Sequence, residues 1–266
     1  MKLRSNLISK ELFFILPLVF IFSGMIRAND PVLTARSSPA SLLNVESFWV
    51  DSIMNEMSLN EKIGQLFMVA AYSNKGPQHM QEIMKLIRKH HIGGLIFFQG
   101  NPQKQAKLTN IYQNYSEVPL MIGMDAEWGL GMRLDSVISY PRQMALGAIQ
   151  KDSLIYEMGL DLAEQLRRLG VHINFAPVVD VNNNPGNPVI GSRSFGENKY
   201  NVARKGISYV NGLQDNCVLA VAKHFPGHGD TDQDSHETLP VIPHDSARLD
   251  SIELYPFKRM IQNGVG

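Results

Sequence analysis

The sequence predicts an α/β fold with a parallel sheet, and two features of the chain support this prediction. Short apolar segments rich in β-branched and aromatic residues alternate with segments whose apolar residues have helical spacing. Strands that are apolar throughout are buried on both faces, and the alternation of strands with helices favours parallel pairing. The predicted strands are residues 66–71, 94–98, 120–124, 173–179 and 218–225.

Capping signals mark two of the helices between these strands. Ser58 and Glu61 have the spacing of a capping box, in which each side chain bonds a backbone N–H group at the start of a helix. A second helix is predicted from its apolar spacing, with Asp152 as the N-cap and Gly170 as the C-terminal glycine. Near the end of the chain, Pro256 is suited to the first position of a further helix.

Polar residues follow the ends of three predicted strands. Asp125 and Glu127 follow the third strand, Asp180 follows the fourth, and a run of ionisable residues at 224–236 follows the fifth. Ligand groups at the carboxyl ends of successive parallel strands are typical of a TIM (β/α)8 barrel. An open doubly wound sheet is less favoured, because no glycine-rich phosphate turn follows the first strand. Since a closed barrel needs eight units, the sequence predicts a barrel truncated after about five βα units.

Composition and the amino-terminal residues limit the classes of function. The chain has 266 residues with 44% hydrophobic content, and its 25 Lys and Arg residues balance its 25 Asp and Glu residues. This balance argues against a nucleic-acid partner. Residues 1–28 have the basic start, apolar centre and small residues of a secretory signal peptide, so we expect export to the periplasm or cell surface and no membrane span after cleavage. Residues 29–47 are predicted to be a linker, and the lone Cys217 a buried thiol.

Residues 223–240, with the sequence KHFPGHGDTDQDSHETLP, form the densest cluster of ionisable side chains. Its histidines and aspartates are numerous enough for a zinc site, but no cysteine and no HExxH motif accompanies them. A second interpretation is acid/base catalysis, because Asp234 lies two residues from His236 and a nearby carboxylate raises an imidazole's pKa. A solvated turn is the third. The density of Lys, His and Asp at a strand end favours a functional site.

The same stretch resembles the signature of glycoside hydrolase family 3, in the branch of bacterial β-N-acetylglucosaminidases (β-N-acetylhexosaminidases). Other segments resemble this family in the same order along residues 48–266. They are MSLNEKIGQLFMV, IGMDAEWGLGMRL, NFAPVVDVNNNPGNPVIGSRSFG and ELYPFKRMIQNGV.

The resemblance implies a (β/α)8 barrel and a retaining mechanism through a covalent glycosyl-enzyme, with no cofactor and no metal. The implied substrate is an oligosaccharide of the cell wall (peptidoglycan) or of chitin type, from which terminal β-linked N-acetylglucosamine is released. His236, partnered by Asp234, is the implied acid/base. The implied sugar-binding residues are Asp125, Arg133, Arg193, Lys223 and His224.

Two departures from the family's pattern bear on these expectations. Trp128 and Gly129 stand where the family has two glycines, so Trp128 either stacks on a sugar, crowds the site or packs in the fold. The family's nucleophilic aspartate follows a seventh strand, which would lie beyond Gly266, so the 266-residue chain alone is expected to be inactive. A β-glucosidase of the same family and a non-catalytic carbohydrate-binding protein remain as alternatives.

Overall fold

The computed structural model describes residues 46–234 and 239–266. The predicted signal peptide and nearly all of the predicted linker lie outside these residues, as does His236. In the described part, the strands form one parallel sheet in sequential order. They are Met68–Ala71 (β1), Gly94–Phe97 (β2), Met121–Met124 (β3), Ile173–Asn174 (β4) and Leu219–Ala220 (β5).

Helices connect these strands and follow the last one. Sequential parallel strands joined by helices have the topology of a (β/α)8 barrel wall, so the α/β barrel prediction is confirmed for the five units seen here. No described helix is long and apolar enough to cross a membrane. The described helices are Phe48–Glu56 (α1), Leu59–Gly64 (α2), Pro77–His90 (α3), Pro102–Tyr115 (α4), Gln143–Gly147 (α5), Ser153–Arg168 (α6), Lys199–Asp215 (α7), Ser246–Ser251 (α8) and Leu254–Gln262 (α9).

Strands β4 and β5 are much shorter than their apolar sequences predict, because they pair over two residues each. Pro177 has no backbone N–H group to donate to a neighbouring strand, so regular pairing cannot continue through it. Contact resumes as an isolated bridge between Val178 and Lys223, where the N–H of Val179 donates to the carbonyl of Lys223 at 2.7 Å. The chain beyond β4 and β5 is therefore irregular where it carries its polar residues.

The predicted helix signals have mixed outcomes. The capping box is confirmed, since the N–H of Glu61 donates to Ser58 and the N–H of Ser58 donates to Glu61. Gly170 ends the turn after α6 at a φ of +71°, which favours glycine. Asp152 is the N-cap residue of α6 as predicted, but its side chain makes no capping hydrogen bond, because its carboxylate bonds the buried Lys205 ammonium of α7 at 2.7 Å. Pro256 is the third residue of α9, not the first.

Helices α6 and α7 pack closely against each other behind the sheet. At Gly212, an added Cβ would lie 2.3 Å from the carbonyl oxygen of Tyr156, so the crossing of these helices requires glycine there. The prediction for Cys217 is wrong, because this residue follows α7 in a left-handed turn at a φ of +60° and its side chain is exposed. The core includes β2, β3 and the inner faces of α6 and α7, together with buried side chains of β1, β5, α3, α4 and α9.

Candidate active site

The carboxyl ends of β3, β4 and β5 surround a cleft of about 360 Å3. All five residues predicted to bind a sugar line this cleft, and Glu127 lines it with them. A larger cavity of about 510 Å3 lies elsewhere, beside Phe67 and Ile92 at the amino ends of β1 and β2. Since barrel proteins gather their ligand groups at the carboxyl ends of strands, the smaller cleft is the candidate site. Its lining residues are Ile96, Asp125, Glu127, Met132, Arg133, Phe175, Val189, Arg193, Lys223 and His224.

Asp125, the first residue after β3, holds two cations. Its Oδ2 accepts a hydrogen bond from Nη2 of Arg133 and its Oδ1 accepts one from Nζ of Lys223, both at 2.7 Å. All three side chains are partly buried, with 15 to 17% of their surface exposed. Arg133 also lies over the ring of Phe98, with its guanidinium carbon 4.6 Å from the ring centre. Asp125 thus presents its remaining acceptor capacity to the cleft between two fixed donors.

Glu127, two residues further on, is fully buried, binds the third cation, Arg193, and shares Lys223 with Asp125. Arg193 donates to its two oxygens through Nε at 2.9 Å and Nη2 at 2.7 Å, and Nζ of Lys223 lies 2.9 Å from Oε1. Burial opposes ionisation of Glu127, but the bonds and charges of Arg193 and Lys223 outweigh it and lower its pKa. The direct partner of Arg193 is Glu127, whose two oxygens it bonds bidentately, while both oxygens of Asp125 are already bonded by Arg133 and Lys223.

Asp180, which follows β4, orients His224. The carboxylate is fully buried, and its Oδ2 lies 2.7 Å from Nδ1 of His224. It also accepts the backbone N–H groups of His224 and of His228, the latter at 2.7 Å. Because an ionised carboxylate only accepts hydrogen bonds, Nδ1 of His224 carries the proton. Nη2 of Arg193 lies 3.2 Å from Nε2 of the same ring, and because a guanidinium only donates, Nε2 is the acceptor of this bond.

The cleft is electrically balanced. Two lining carboxylates, on Asp125 and Glu127, pair with three cations, on Arg133, Arg193 and Lys223, and the carboxylate of Asp180 is buried against His224. Buried charges are tolerated when they are paired and hydrogen-bonded, as they are here. The result is a small pocket with fixed donors and acceptors and little net charge. Such a pocket suits a neutral ligand with several hydroxyl groups.

The ionisable residues after His224 do not converge on one point. His228 is buried, its Nδ1 contacts the hydroxyl of Thr231, and the amide of Asn187 donates to its carbonyl at 2.7 Å. Burial lowers the pKa of His228, so its ring is neutral in the folded protein at neutral pH. This histidine anchors the loop and does not line the cleft.

Asp230 lies in a separate cluster. Nε2 of His244 is 2.6 Å from its Oδ2, and Arg248 is 3.1 Å from the same oxygen and 3.2 Å from Oε1 of Glu253. Asp230, His244 and Glu253 could offer three metal-ligand atoms within 4.8 Å of one another. The Arg248 guanidinium already supplies the positive charge between the two carboxylates. Among the described residues of the predicted cluster, His228 and Asp230 thus take different protein partners.

Trp128 and Asp234 are not among the residues that line the cleft. The guanidinium carbon of Arg142 lies 3.6 Å from the ring centre of Trp128, so one face of this ring is covered. Asp234 is partly buried at the end of the described stretch that precedes His236. Glu127 and Asp180 received no predicted role, although the DAE spacing after β3 was a signal for the first.

Comparisons with known proteins agree with the sequence motifs. Residues 58–266 match the model of the glycosyl hydrolase family 3 N terminal domain. The chain is 38% identical over 194 residues to beta-hexosaminidase A of Pseudoalteromonas piscicida, covering 68% of this chain and 32% of that protein. It is 31% identical over 200 residues to a beta-N-acetylglucosaminidase/beta-glucosidase of Cellulomonas fimi, covering 75% and 35%.

A solved structure also resembles the chain. It is a glycoside hydrolase family 3 beta-N-acetylglucosaminidase from Paenibacillus sp. str. FPU-7, with a TM-score of 0.72 and 44% sequence identity. The match covers 79% of this chain and 41% of that one. The chain thus spans about a third of the length of the two curated relatives and about two fifths of the solved one.

Proposed function

Because the chain belongs to glycosyl hydrolase family 3, we propose that the whole protein is a retaining glycoside hydrolase. Its proposed reaction is the release of terminal β-linked N-acetylglucosamine from oligosaccharides of the cell wall or of chitin type. The names of the relatives from Pseudoalteromonas and Paenibacillus support the choice of sugar. Export through residues 1–28 remains a prediction from the sequence.

The continuous network from Asp125 to Asp180 carries this proposal. Sugar hydroxyls both donate and accept hydrogen bonds, and charge-assisted bonds to them are about twice as strong as neutral ones. Asp125 and Nε2 of His224 offer acceptors, while Arg133, Arg193 and Lys223 offer donors. We propose that this set binds the terminal sugar ring. Because every charge already has a partner, the donors and acceptors are fixed before the sugar arrives.

Asp234 and His236 are the proposed acid/base pair. The leaving oxygen of a glycoside needs a proton, and an imidazole held by a carboxylate supplies it at neutral pH. The second step of a retaining mechanism then uses the same imidazole as a base toward water. The nucleophilic aspartate implied by the resemblance matches no residue of this chain, and we propose that the whole protein carries it elsewhere.

Kinetics with the whole protein test this function. We expect faster cleavage of 4-nitrophenyl N-acetyl-β-glucosaminide than of the matching glucoside, and NMR should show the β-anomer as the first product. His236→Ala should lower kcat/KM by about 100- to 10,000-fold for a poorly activated leaving group, and by less for nitrophenol, which needs no proton. His90→Ala, a change on the exposed surface of α3, is the matched control.

Other outcomes would redirect the proposal. The name of the Cellulomonas fimi relative includes beta-glucosidase, so this is the second candidate activity. Faster cleavage of the glucoside would favour it over the first. Binding of N-acetylglucosamine without turnover of either substrate would instead indicate a carbohydrate-binding protein. An equal loss for both leaving groups in His236→Ala would argue against its role as the proton donor.

A further inference from the structure

Two buried polar side chains behind the cleft contact the backbone that carries Glu127. Asn174 is the last residue of β4 and Tyr209 lies in the middle of α7, and neither is exposed to solvent. We infer that they are positioning residues, which hold Glu127 in the place where it orders Arg193 and Lys223. This inference rests on the proposed function, since it concerns the binding of the sugar.

The contacts form a closed set around Ala126. Oδ1 of Asn174 accepts the N–H of Ala126 at 3.0 Å, and its Nδ2 lies 3.4 Å from the carbonyl oxygen of the same residue. The hydroxyl of Tyr209 donates toward the carbonyls of Ala126 at 3.0 Å and Glu127 at 3.2 Å. Nδ2 of Asn174 also lies 3.4 Å from that hydroxyl. One amide and one phenol thus bond both polar groups of Ala126 and the carbonyl of Glu127.

This segment needs such support because β3 ends at Met124. The N–H of Phe175 donates to the carbonyl of Met124 at 2.9 Å, and Asn174 continues the lateral bonding beyond that point with its side chain. Since the peptide of Glu127 is fixed from behind, its carboxylate can be fully buried and still meet Arg193 and Lys223. A shift of this peptide would move both cations relative to the cleft.

The hydroxyl of Tyr209 can donate a hydrogen bond at every pH at which an enzyme is assayed. Burial raises the pKa of its phenol far above the ordinary value, so the hydroxyl keeps its proton throughout the pH range of enzyme assays. Loss of this donor removes its bond to the buried carbonyl of Glu127 and leaves the carbonyl of Ala126 with the longer contact to Asn174. Removing only the oxygen therefore tests the contact without changing the shape of the core.

Tyr209→Phe in the whole protein is the primary test, with Tyr112→Phe as the matched control. Tyr112 is equally buried, but its hydroxyl has no hydrogen-bond partner among the described residues. Tyr209→Phe should lower kcat/KM for the N-acetylglucosaminide by about tenfold. The change should appear mainly as a higher KM, because groups that bind the sugar equally in the ground state and the transition state affect KM and not kcat. Tyr112→Phe should leave both constants unchanged within about twofold.

A double-mutant cycle with Glu127→Gln distinguishes positioning from a general loss of stability. If Tyr209 acts through Glu127, its substitution should have almost no further effect on kcat/KM in the Glu127→Gln background. A full effect in that background, or kinetics of Tyr209→Phe that equal those of Tyr112→Phe, would overturn the inference. If Tyr209→Phe does not fold, Asn174→Ser tests the same contacts. If neither variant folds, Asn174 and Tyr209 are needed for folding and the inference is overturned. An inactive wild type would overturn the proposed function instead.

Discussion

The carboxyl ends of β1 and β2 carry aromatic rings, whereas those of β3, β4 and β5 carry charges. After β1 and β2, Tyr72 and Phe98 stack with their ring centres 5.6 Å apart, and His79 meets Tyr72 edge-on. After β3, β4 and β5, each carboxylate bonds two or more groups. Arg133 joins the two regions, since it binds Asp125 and lies over Phe98.

Because of this difference, the two regions should respond differently to substitution. A stack of rings loses contact area when one member changes, and the remaining members can shift to compensate. A buried charge that loses its partner has no such compensation, because the remaining charge is left desolvated. We therefore expect substitutions in the charged region to cost far more activity than substitutions in the aromatic region.

Asp125→Ala should have the largest effect. It leaves Arg133 and Lys223 without their shared acceptor and removes a proposed contact to the sugar. We expect kcat/KM of the whole protein to fall by about 1,000-fold, measured with an aryl N-acetylglucosaminide. Asp250→Ala is the control, because its ion pair with Lys258 is exposed and such pairs contribute little. Equal losses in both variants would contradict the distinction between buried and exposed pairs.

The charged region was largely predictable because its residues stand in a motif at strand ends. Asp125, Lys223 and His224 each follow a recognisable apolar strand, so a parallel sheet brings them together. Their supporting partners were not predictable in this way. Tyr209 lies 83 residues from Ala126 in the sequence, and its position in an ordinary amphipathic helix gave no sign that its hydroxyl reaches β3.

The lengths of β4 and β5 were also mispredicted, for a related reason. Apolar sequence predicts burial, but burial continues past Asn174 after the regular strand pairing has ended. Pro177 was the visible sign of that interruption. Asp180 follows this irregular segment. Its carboxylate accepts the backbone N–H groups of His224 and His228, which follow β5. No local sequence pattern predicts such contacts between distant parts of the chain.

Phe98→Leu should have an intermediate effect, because it removes the ring beneath Arg133 and keeps an apolar side chain. A cation over an aromatic face contributes about 0.5–2 kcal/mol, so we expect KM to rise by about two- to thirtyfold with little change in kcat. Tyr115→Leu is the matched control, since Arg88 lies over that ring away from the cleft. A loss as large as that of Asp125→Ala would show that the aromatic region does more than support Arg133.

His79→Gln should have the smallest effect, and it should appear in stability at acidic pH. Nε2 of His79 accepts the N–H of Tyr72 at 3.2 Å, and burial together with Lys75 lowers the pKa of the ring, although Glu82 opposes this. The unfolded chain therefore takes up the proton first, so this contribution to stability is present above about pH 6.5 and is lost as the pH falls. Glutamine can accept the same N–H without titrating.

The fall in Tm between pH 7.5 and pH 5.0 should be smaller in His79→Gln by about 2–4 °C, and His90→Gln on the exposed surface of the same helix should match the wild type. An unchanged fall in His79→Gln would mean that the Tyr72 contact survives protonation, and the aromatic region would then be insensitive to pH as well as tolerant of substitution.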